Sequence, residues 1–146
     1  MNGNNTYQER NSISYNKGED IFLEYCRDRG LEVTRLGFDE KNASVSRFYD
    51  LSPFIRNLPD FIVTNGSKII LVNVKGSLNL KEQEFELLEG FAHLYESEHA
   101  KLYYAFCLSP SNIIWETLQN VSQAYLQETE IKEWPDGKRY KTLGIG

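Results

Sequence analysis

Three polar residues near the middle of the chain combine side-chain types that could hydrolyse a phosphate ester. Asp60 follows Pro59, and twelve residues later Asn73 and Lys75 flank Val74. Carboxylate and amide oxygens are hard ligands of the kind that Mg²⁺ binds while it retains several water molecules. A lysine beside such a cation can orient or acidify the attacking water and stabilise the phosphoryl oxygens. The spacing therefore predicts a site for a divalent cation and a phosphate group.

A β-hairpin is predicted to position these groups. The segments 59–64 and 68–75 are rich in β-branched residues, and Asn65-Gly66 between them is typical of a type I′ turn. With Asn65 and Gly66 as the two turn residues, Asp60 lies opposite Leu71. Because side chains alternate along a strand, one face is expected to carry Asp60, Leu71, Asn73 and Lys75. The other face is expected to be apolar: Phe61, Val63, Ile70, Val72 and Val74.

The surrounding pattern predicts an α/β fold in which helices flank a mixed sheet. Asn16 and Glu19 have capping-box spacing for a helix over 17–29, and residues 1–15 are expected to be a flexible leader before a single domain over 16–146. The other predicted elements are a strand over 31–36, a helix from Asn79 to about Ser97, a strand over 101–108, a helix capped by Ser111 and a hairpin over 131–143. The stretch 37–58 has no clear period and is expected to be a functional loop or disordered.

Composition limits the class of protein further. The chain has 146 residues and a net charge of −5, which argues against coating nucleic acid by bulk electrostatics. Its longest aliphatic run is too short to cross a bilayer, and its polar N-terminus does not resemble a secretory signal, so an intracellular, cytoplasmic protein is expected. Cys26 and Cys107 lie in apolar runs and are predicted to be buried thiols.

Together these residues resemble the PD-(D/E)XK nuclease superfamily. The resemblance lies in Pro59-Asp60 followed by Asn73-Val74-Lys75, after a predicted helix that carries Glu19. The stretch from Lys17-Gly18-Glu19 through Gly30 is most similar to archaeal Holliday-junction resolvases and their phage relatives, and the similarity extends to about Leu108. It implies a restriction-endonuclease-like core, and host cytoplasm as the location if the chain is phage-encoded.

The resemblance also implies roles for individual residues. Asp60 would be the central metal ligand, Glu19 a further ligand directly or through water, and the Val74 carbonyl a backbone ligand. Lys75 would be the catalytic lysine, and Asn73 stands where the family has its second acidic residue. Polar residues just past the hairpin, Ser77 and Gln83, would lie near the scissile phosphate.

The amide at position 73 leaves two interpretations open. An amide oxygen can still bind a cation, but one negative charge is lost and metal affinity should be weaker. Either Glu19 compensates or the protein is a weakened or inactive nuclease, whether the amide is natural or introduced. Glu19 could also serve only the helix cap, Asp60 could merely begin a strand, and Lys75 could be a solvated strand end. Asn73 could simply hydrogen-bond a neighbouring loop, and Ser77 and Gln83 could serve only capping and solvation.

Contacts with DNA would come from local basic residues. The candidate phosphate contacts are Arg47, Arg56, Lys138, Arg139 and Lys141, and Tyr49 and Trp134 could stack on unpaired bases. The last ten residues are basic within an acidic chain, which favours a local polyanion contact.

The sequence thus predicts an endonuclease that needs Mg²⁺ or Mn²⁺ and hydrolyses DNA phosphodiester bonds, with a preference for branched DNA. A homodimer would place two such sites on opposed strands of a junction. The alternative is a catalytically inactive nuclease fold that binds DNA or serves as an assembly subunit.

Overall fold

The computed structural model describes residues 7–36 and 58–146, with side chains described from Lys17 onward. Its helices are α1 Tyr7–Asp28, α2 Glu82–Tyr95 and α3 Leu118–Gln127. Its strands are β1 Glu32–Arg35, β2 Phe61–Asn65, β3 Lys68–Lys75, β4 Asn79–Lys81, β5 Ala100–Ser109, β6 Asn112–Thr117, β7 Lys132–Glu133 and β8 Arg139–Thr142.

Among the described residues, the central sheet has five strands in the order β1-β2-β3-β5-β6. Strands β3 and β5 run parallel and the other neighbours are antiparallel, so the sheet is mixed. Helix α1 packs Phe22 and Cys26 on one face, whereas α2 and α3 cover the other face with residues such as Leu88, Phe91 and Val121. The mixed sheet flanked by helices confirms the predicted fold class.

The hairpin of β2 and β3 confirms the predicted face but corrects the predicted register. Asn65 pairs with Lys68 and Ile62 with Leu71, so Gly66 and Ser67 are the turn residues. Gly66 has a φ of 65°, and no non-glycine residue in the described part of the chain has a positive φ, which excludes a type I′ turn. The correction moves each pair by two residues, and side-chain parity is therefore preserved.

The new register brings Asp60 level with Asn73 instead of Leu71. The main-chain N–H of Asp60 donates to the Val72 carbonyl at 2.9 Å, just beyond the last residue pair of β2 and β3. The opposite face is apolar as predicted, since Phe61, Val63, Val72 and Val74 are buried under α1. The carboxylate consequently lies at the end of β3 that carries Lys75.

Two predicted helix starts are wrong because the chain forms strands there. Asn79 does not begin α2 but lies in β4, and α2 follows Lys81 without a side-chain cap. Residues 112–117, predicted to be helical after Ser111, form β6, which pairs with β5. Thr117 then begins α3, and its hydroxyl accepts a hydrogen bond from the Asn120 N–H at 3.1 Å.

The first helix also starts elsewhere than predicted. It begins at Tyr7, so most of the expected leader is helical and Asn16 lies inside the helix rather than at its cap. The interpretation of Glu19 as part of a capping box is therefore wrong. Strand β1 agrees with the predicted strand over 31–36.

The C-terminal segment forms the predicted hairpin and joins a second sheet. We call β4, β8 and β7, in that order, the C-terminal sheet. The rings of Trp134 and Tyr140 stack across the hairpin with centroids 3.9 Å apart. The association of β8 with β4 was not predicted.

Buried apolar groups complete the core. Strand β5 is covered on both faces, as predicted, with Tyr104, Ala105, Phe106 and Cys107 fully buried. Both cysteines are free and buried, which confirms the predicted thiols. Burial raises the pKa of Cys107 to about 12. None of the helices in the described part of the chain combines the length and apolar character needed to cross a lipid bilayer.

Candidate active site

Asp60 is held between two strands at one end of the central sheet. Its main-chain carbonyl accepts a hydrogen bond from the Leu36 N–H at 3.0 Å, next to β1. Its carboxylate Oδ2 accepts the Val74 N–H of β3 at 2.7 Å. The position of the carboxylate is thus set by the backbone rather than by flexible side chains.

The surroundings of Asp60 are unusual for a carboxylate. Burial raises its pKa to about 7, even though the hydrogen bond from Val74 and the charge of Lys75 act in the opposite direction. The charges of Glu19 and Glu84 raise the pKa further. Asp60 therefore lies within electrostatic reach of two other acids and one ammonium group. Perturbation of this kind is common at functional sites.

Lys75 is the last residue of β3 and forms an ion pair with helix α2. Its Nζ lies 2.5 Å from Oε1 of Glu84, and the two side chains are 23% and 12% exposed. Burial alone would raise the pKa of Glu84, but the charge and hydrogen bond of Lys75, a hydrogen bond from Tyr104 and the charge of Lys81 outweigh burial. The pKa of Glu84 consequently lies below its ordinary value, and the pair is ionised.

Tyr104 of β5 supplies the second hydrogen bond to Glu84. Its hydroxyl donates to Oε2 of Glu84, and the side chain is fully buried. Burial and the charge of Glu84 raise the pKa of Tyr104 well above its ordinary value, so the hydroxyl keeps its proton. Asn73 lies directly beside Tyr104 on the neighbouring strand and forms a side-chain hydrogen bond with the same hydroxyl.

Helix α1 brings Glu19 to the same end of the sheet. Glu19 is buried, and its Oε1 lies 2.5 Å from a guanidinium nitrogen of Arg35 on β1. The close approach depends on Gly18, because a Cβ there would lie 3.0 Å from the Gly76 nitrogen and 3.1 Å from the Lys75 carbonyl carbon. An alanine could not be accommodated without moving the helix.

We call Glu19, Asp60, Lys75, Glu84 and Tyr104 the strand-end cluster. Together with Arg35 it contains three carboxylates and two cations, near the end of the central sheet where β1 and β3 end and β2 begins. In the described part of the chain, no three side chains of Asp, Glu, His or Cys approach closely enough to hold a metal ion jointly. A cation here would therefore have two carboxylate ligands at most, with its other positions open to main-chain oxygen, water or substrate.

The predicted ligands are brought together only in part. Glu19, Asp60 and Lys75 belong to the strand-end cluster, whereas Asn73 turns its buried amide to Tyr104. Val74 contributes its N–H to Asp60. Of the weaker predictions, Ser77 accepts the Asn79 N–H at 3.4 Å, and the side chain of Gln83 is exposed on α2.

The predicted DNA contacts differ in their exposure and in whether they already have a partner within the protein. Arg139 pairs with Glu82 at 2.7 Å, and Lys141 donates to the Tyr125 carbonyl at 2.9 Å, so both basic groups already have partners. Lys138 is exposed, and Trp134 stacks on Tyr140. The remaining predicted contacts, Arg47, Tyr49 and Arg56, lie outside the described residues.

Sequence reasoning missed Arg35, Glu84 and Tyr104, although two of them carry a signal. Glu84 falls at helical spacing with the core residues Leu88 and Phe91, so its charge lies on the buried stripe of α2. Tyr104 lies in a strand covered on both faces, where a hydroxyl needs a hydrogen-bond partner. Glu84 and Tyr104 each therefore needed a polar partner inside the core.

The chain is similar to a solved structure but to no protein-family model or curated protein. No protein-family model matches the chain, and no curated protein matches it. Among solved structures, Hjc from Archaeoglobus fulgidus, a Holliday junction resolvase from an archaeal hyperthermophile, is similar with a TM-score of 0.48. The two chains are 21% identical, and the match covers 87% of each.

Proposed function

We propose that the strand-end cluster is the active site of a metal-dependent endonuclease that hydrolyses phosphodiester bonds in DNA. The observation that carries the proposal is the half-buried Asp60 carboxylate, fixed by the Val74 N–H within electrostatic reach of Lys75. Because burial raises the pKa of Asp60 to about 7, keeping this carboxylate ionised costs the folded chain stability above that pH, and a catalytic use explains its retention.

The donor set fits a hard divalent cation, Mg²⁺ or Mn²⁺. Burial is the main cause of the raised pKa of Asp60, the charges of Glu19 and Glu84 add to it, and a positive ion beside Asp60 would relieve that repulsion. Magnesium accepts one or two carboxylates and fills its remaining positions with water and substrate phosphate. Asp60 and Glu19 are the side chains that would hold it, while Glu84 is engaged by Lys75 and Tyr104.

The residues of the cluster divide the chemical work. A bound divalent cation would supply an acidified water and stabilise negative charge on the phosphate. Lys75 presents an ammonium group, which stabilises the charge that grows on the phosphoryl oxygens. The main chain of β3 holds Asp60 in place, so little reorganisation is needed when the phosphate reacts. No covalent intermediate with the protein is required.

Branched DNA is the proposed substrate class. Support comes from the sequence resemblance around Lys17-Gly18-Glu19, where Gly18 allows α1 to bring Glu19 against the end of β3. Cutting two opposed strands of a junction needs two active sites, which a symmetric homodimer would supply.

Cleavage assays test the proposal. Four-way junctions and linear duplexes of the same sequence are incubated with the protein in Mg²⁺ or Mn²⁺, and cleavage is measured. Light scattering of the protein alone measures its mass and tests for the homodimer. We expect junction cleavage by the wild type, and a loss of at least about a hundredfold for Asp60→Ala and Lys75→Ala. Lys68→Ala is the matched control, because Lys68 is exposed at the other end of the same strand. Full activity in both cluster variants would refute the proposal.

The inactive nuclease fold remains the second candidate, and one observation favours it. Asn73 replaces the family's second acid and its amide serves Tyr104. An inactive DNA-binding or assembly protein predicts no cleavage in any metal and a melting temperature that Mn²⁺ leaves unchanged. An active site that binds the cation predicts a higher melting temperature, because a ligand of the native state stabilises it.

A further inference from the structure

A continuous set of polar contacts crosses three elements beneath the proposed active site. Lys75 of β3 contacts one carboxylate oxygen of Glu84 on α2, and the hydroxyl of Tyr104 on β5 donates to the other. Asn73 of β3 lies directly beside Tyr104 on the parallel strand β5, and its amide acts on the same hydroxyl and lowers its pKa. Starting and ending on β3, the contacts run from Asn73 through Tyr104 and Glu84 to Lys75.

Burying these polar side chains costs free energy, so their retention needs an explanation. Tyr104 and Asn73 are buried at 0% and 8% exposure, and apolar core residues such as Leu71 and Leu102 adjoin them. Buried polar groups of this kind stabilise little compared with apolar packing. What they supply is a defined position for the group at their end, which is the ammonium of Lys75.

We propose that Glu84, anchored by the Tyr104 hydroxyl, is the positioning residue that holds the Lys75 ammonium group beside Asp60. The catalytic part of this role rests on the proposed function, because Lys75 is the residue assigned to phosphodiester hydrolysis. Asn73 belongs to the same set, and its amide anchors Tyr104 instead of binding a cation.

The proposal explains why an amide stands at position 73. An aspartate of the same shape would place a second carboxylate on the Tyr104 hydroxyl, which already donates to Glu84. Two acids would then compete for one proton donor in a buried region, and their like charges would repel. With Glu84 on α2, we therefore expect position 73 of β3 to tolerate an amide but not a carboxylate.

Chemical labelling of lysines tests the positioning role without any nuclease assay. The full chain is reductively methylated with formaldehyde and a borane, and the rate at each lysine is measured by peptide mass spectrometry. In Glu84→Gln we expect methylation of Lys75 to accelerate roughly tenfold, since a hydrogen bond between charged groups is lost. Tyr104→Phe should accelerate it by a smaller factor. Unchanged labelling of Lys75 in Glu84→Gln would overturn the proposal.

Two controls keep the labelling result specific. Glu86→Gln makes the same change at an exposed position of α2 and should leave Lys75 labelling as in the wild type. Lys68, exposed on the same strand, is the internal reference in every variant. Acceleration at both lysines would indicate loose folding and would count against a specific role for Glu84.

A cleavage measurement then separates positioning from the proposed function. Glu84→Gln should lower the single-turnover cleavage rate roughly tenfold and leave the Kd for DNA unchanged, because Glu84 acts through Lys75. If the wild type cleaves no DNA, the proposed function fails while labelling still decides whether Glu84 positions Lys75. If Glu84→Gln cleaves at the wild-type rate, its positioning role in hydrolysis is refuted while the nuclease function stands.

A double-mutant cycle tests the part of the proposal that concerns Asn73. Asn73→Asp alone should accelerate Lys75 labelling and lower the melting temperature. Combining it with Glu84→Gln removes one of the two competing acids, and much of the loss in melting temperature should be restored. Additive losses in the double variant would show that residues 73 and 84 are independent and would overturn this part.

Discussion

Helix α2 presents two carboxylates in its first turn to two different regions of the molecule. Glu82 pairs at 2.7 Å with Arg139 of the C-terminal sheet, and their side chains are 31% and 54% exposed. Glu84 pairs at 2.5 Å with Lys75 in the strand-end cluster, at 12% and 23% exposure. Water screens the first pair and is largely excluded from the second.

The difference shows how neighbouring residues of one type acquire different uses. An exposed pair can be formed or lost with little consequence, so it adds slightly to the docking of β8 against α2. A buried pair is expensive to disturb and therefore keeps its geometry. Geometry of that kind is what a catalytic lysine requires, and the C-terminal sheet contains no equivalent pair among its described residues.

Removing each carboxylate should give the largest contrast between the two regions. Glu84→Ala should lower the free energy of unfolding by about 3 kcal/mol, because Lys75 and Tyr104 lose a shared buried partner. Glu82→Ala should cost less than about 1 kcal/mol, as exposed pairs do. Urea denaturation measures both. Equal losses would mean that burial does not distinguish the pairs.

The second-largest contrast between the two regions should come from a methyl group added at a glycine, because, of Gly18 and Gly144, only Gly18 lies against the backbone of another element. Gly18→Ala should lower the free energy of unfolding by about 1–2 kcal/mol, because its Cβ meets backbone atoms of Lys75 and Gly76 that cannot move aside easily. Helix propensity alone would favour the alanine by about 1 kcal/mol, so a net loss is diagnostic of the contact.

The control for that variant lies just after the C-terminal sheet. Gly144→Ala adds the same methyl group where nothing lies within 4 Å, and its stability should match the wild type within about 0.5 kcal/mol. A stable Gly18→Ala protein with full junction cleavage would show that α1 need not approach β3 so closely.

Replacing Asp60 should act in the opposite direction and stabilise the protein. Its pKa of about 7 in the folded chain exceeds the value of about 4 in an unfolded chain, so the folded chain binds the proton more tightly. That stabilising contribution is complete below about pH 4 and is lost as the pH rises through 7. Asp60→Asn should therefore gain roughly 3 kcal/mol over the wild type between pH 4.5 and pH 8.

Urea denaturation at the two pH values measures this gain. Asp136→Asn, in the turn between β7 and β8, is the control for replacing aspartate by asparagine. Oδ1 of Asp136 accepts a hydrogen bond from the Lys138 N–H at 3.1 Å, and an asparagine there can still accept it. A gain at Asp60 that does not depend on pH would mean that charge is not its cause. The same variant should cleave no DNA, which would separate the needs of stability from those of catalysis.

The hairpin illustrates how much of the fold the sequence determines. Alternation placed Asp60, Asn73 and Lys75 on one face, and that face is correct because parity depends only on the strand pattern. The register was wrong by two residues because Asn-Gly is compatible with more than one turn, and here Gly66 and Ser67 form it. Residues 112–117 formed a strand because the edge of β5 offered hydrogen bonds that helical periodicity does not reveal.

The candidate site shows where sequence reasoning stops. Asp60 and Lys75 were found because they follow a spacing along the chain, and Glu19 was found through the family resemblance. Glu84 and Arg35 join them through packing of α2 and β1, which spacing does not encode. The role of Asn73 could not be inferred either, since it depends on Tyr104 lying beside it on a parallel strand far along the chain.

The smallest expected effects concern DNA binding by the C-terminal sheet. Lys138 is exposed in its hairpin, whereas the neighbouring Arg139 is paired with Glu82. If Lys138 contacts a phosphate, Lys138→Ala should reduce the slope of log Kd against log salt concentration by about 1. Arg139→Ala should change the slope less. Arg139 would have to leave its ion pair with Glu82 to contact a phosphate, and the loss of that pair would offset the gain from the contact. Fluorescence anisotropy with a labelled junction measures both slopes, and an unchanged slope for Lys138→Ala would place the DNA away from this sheet.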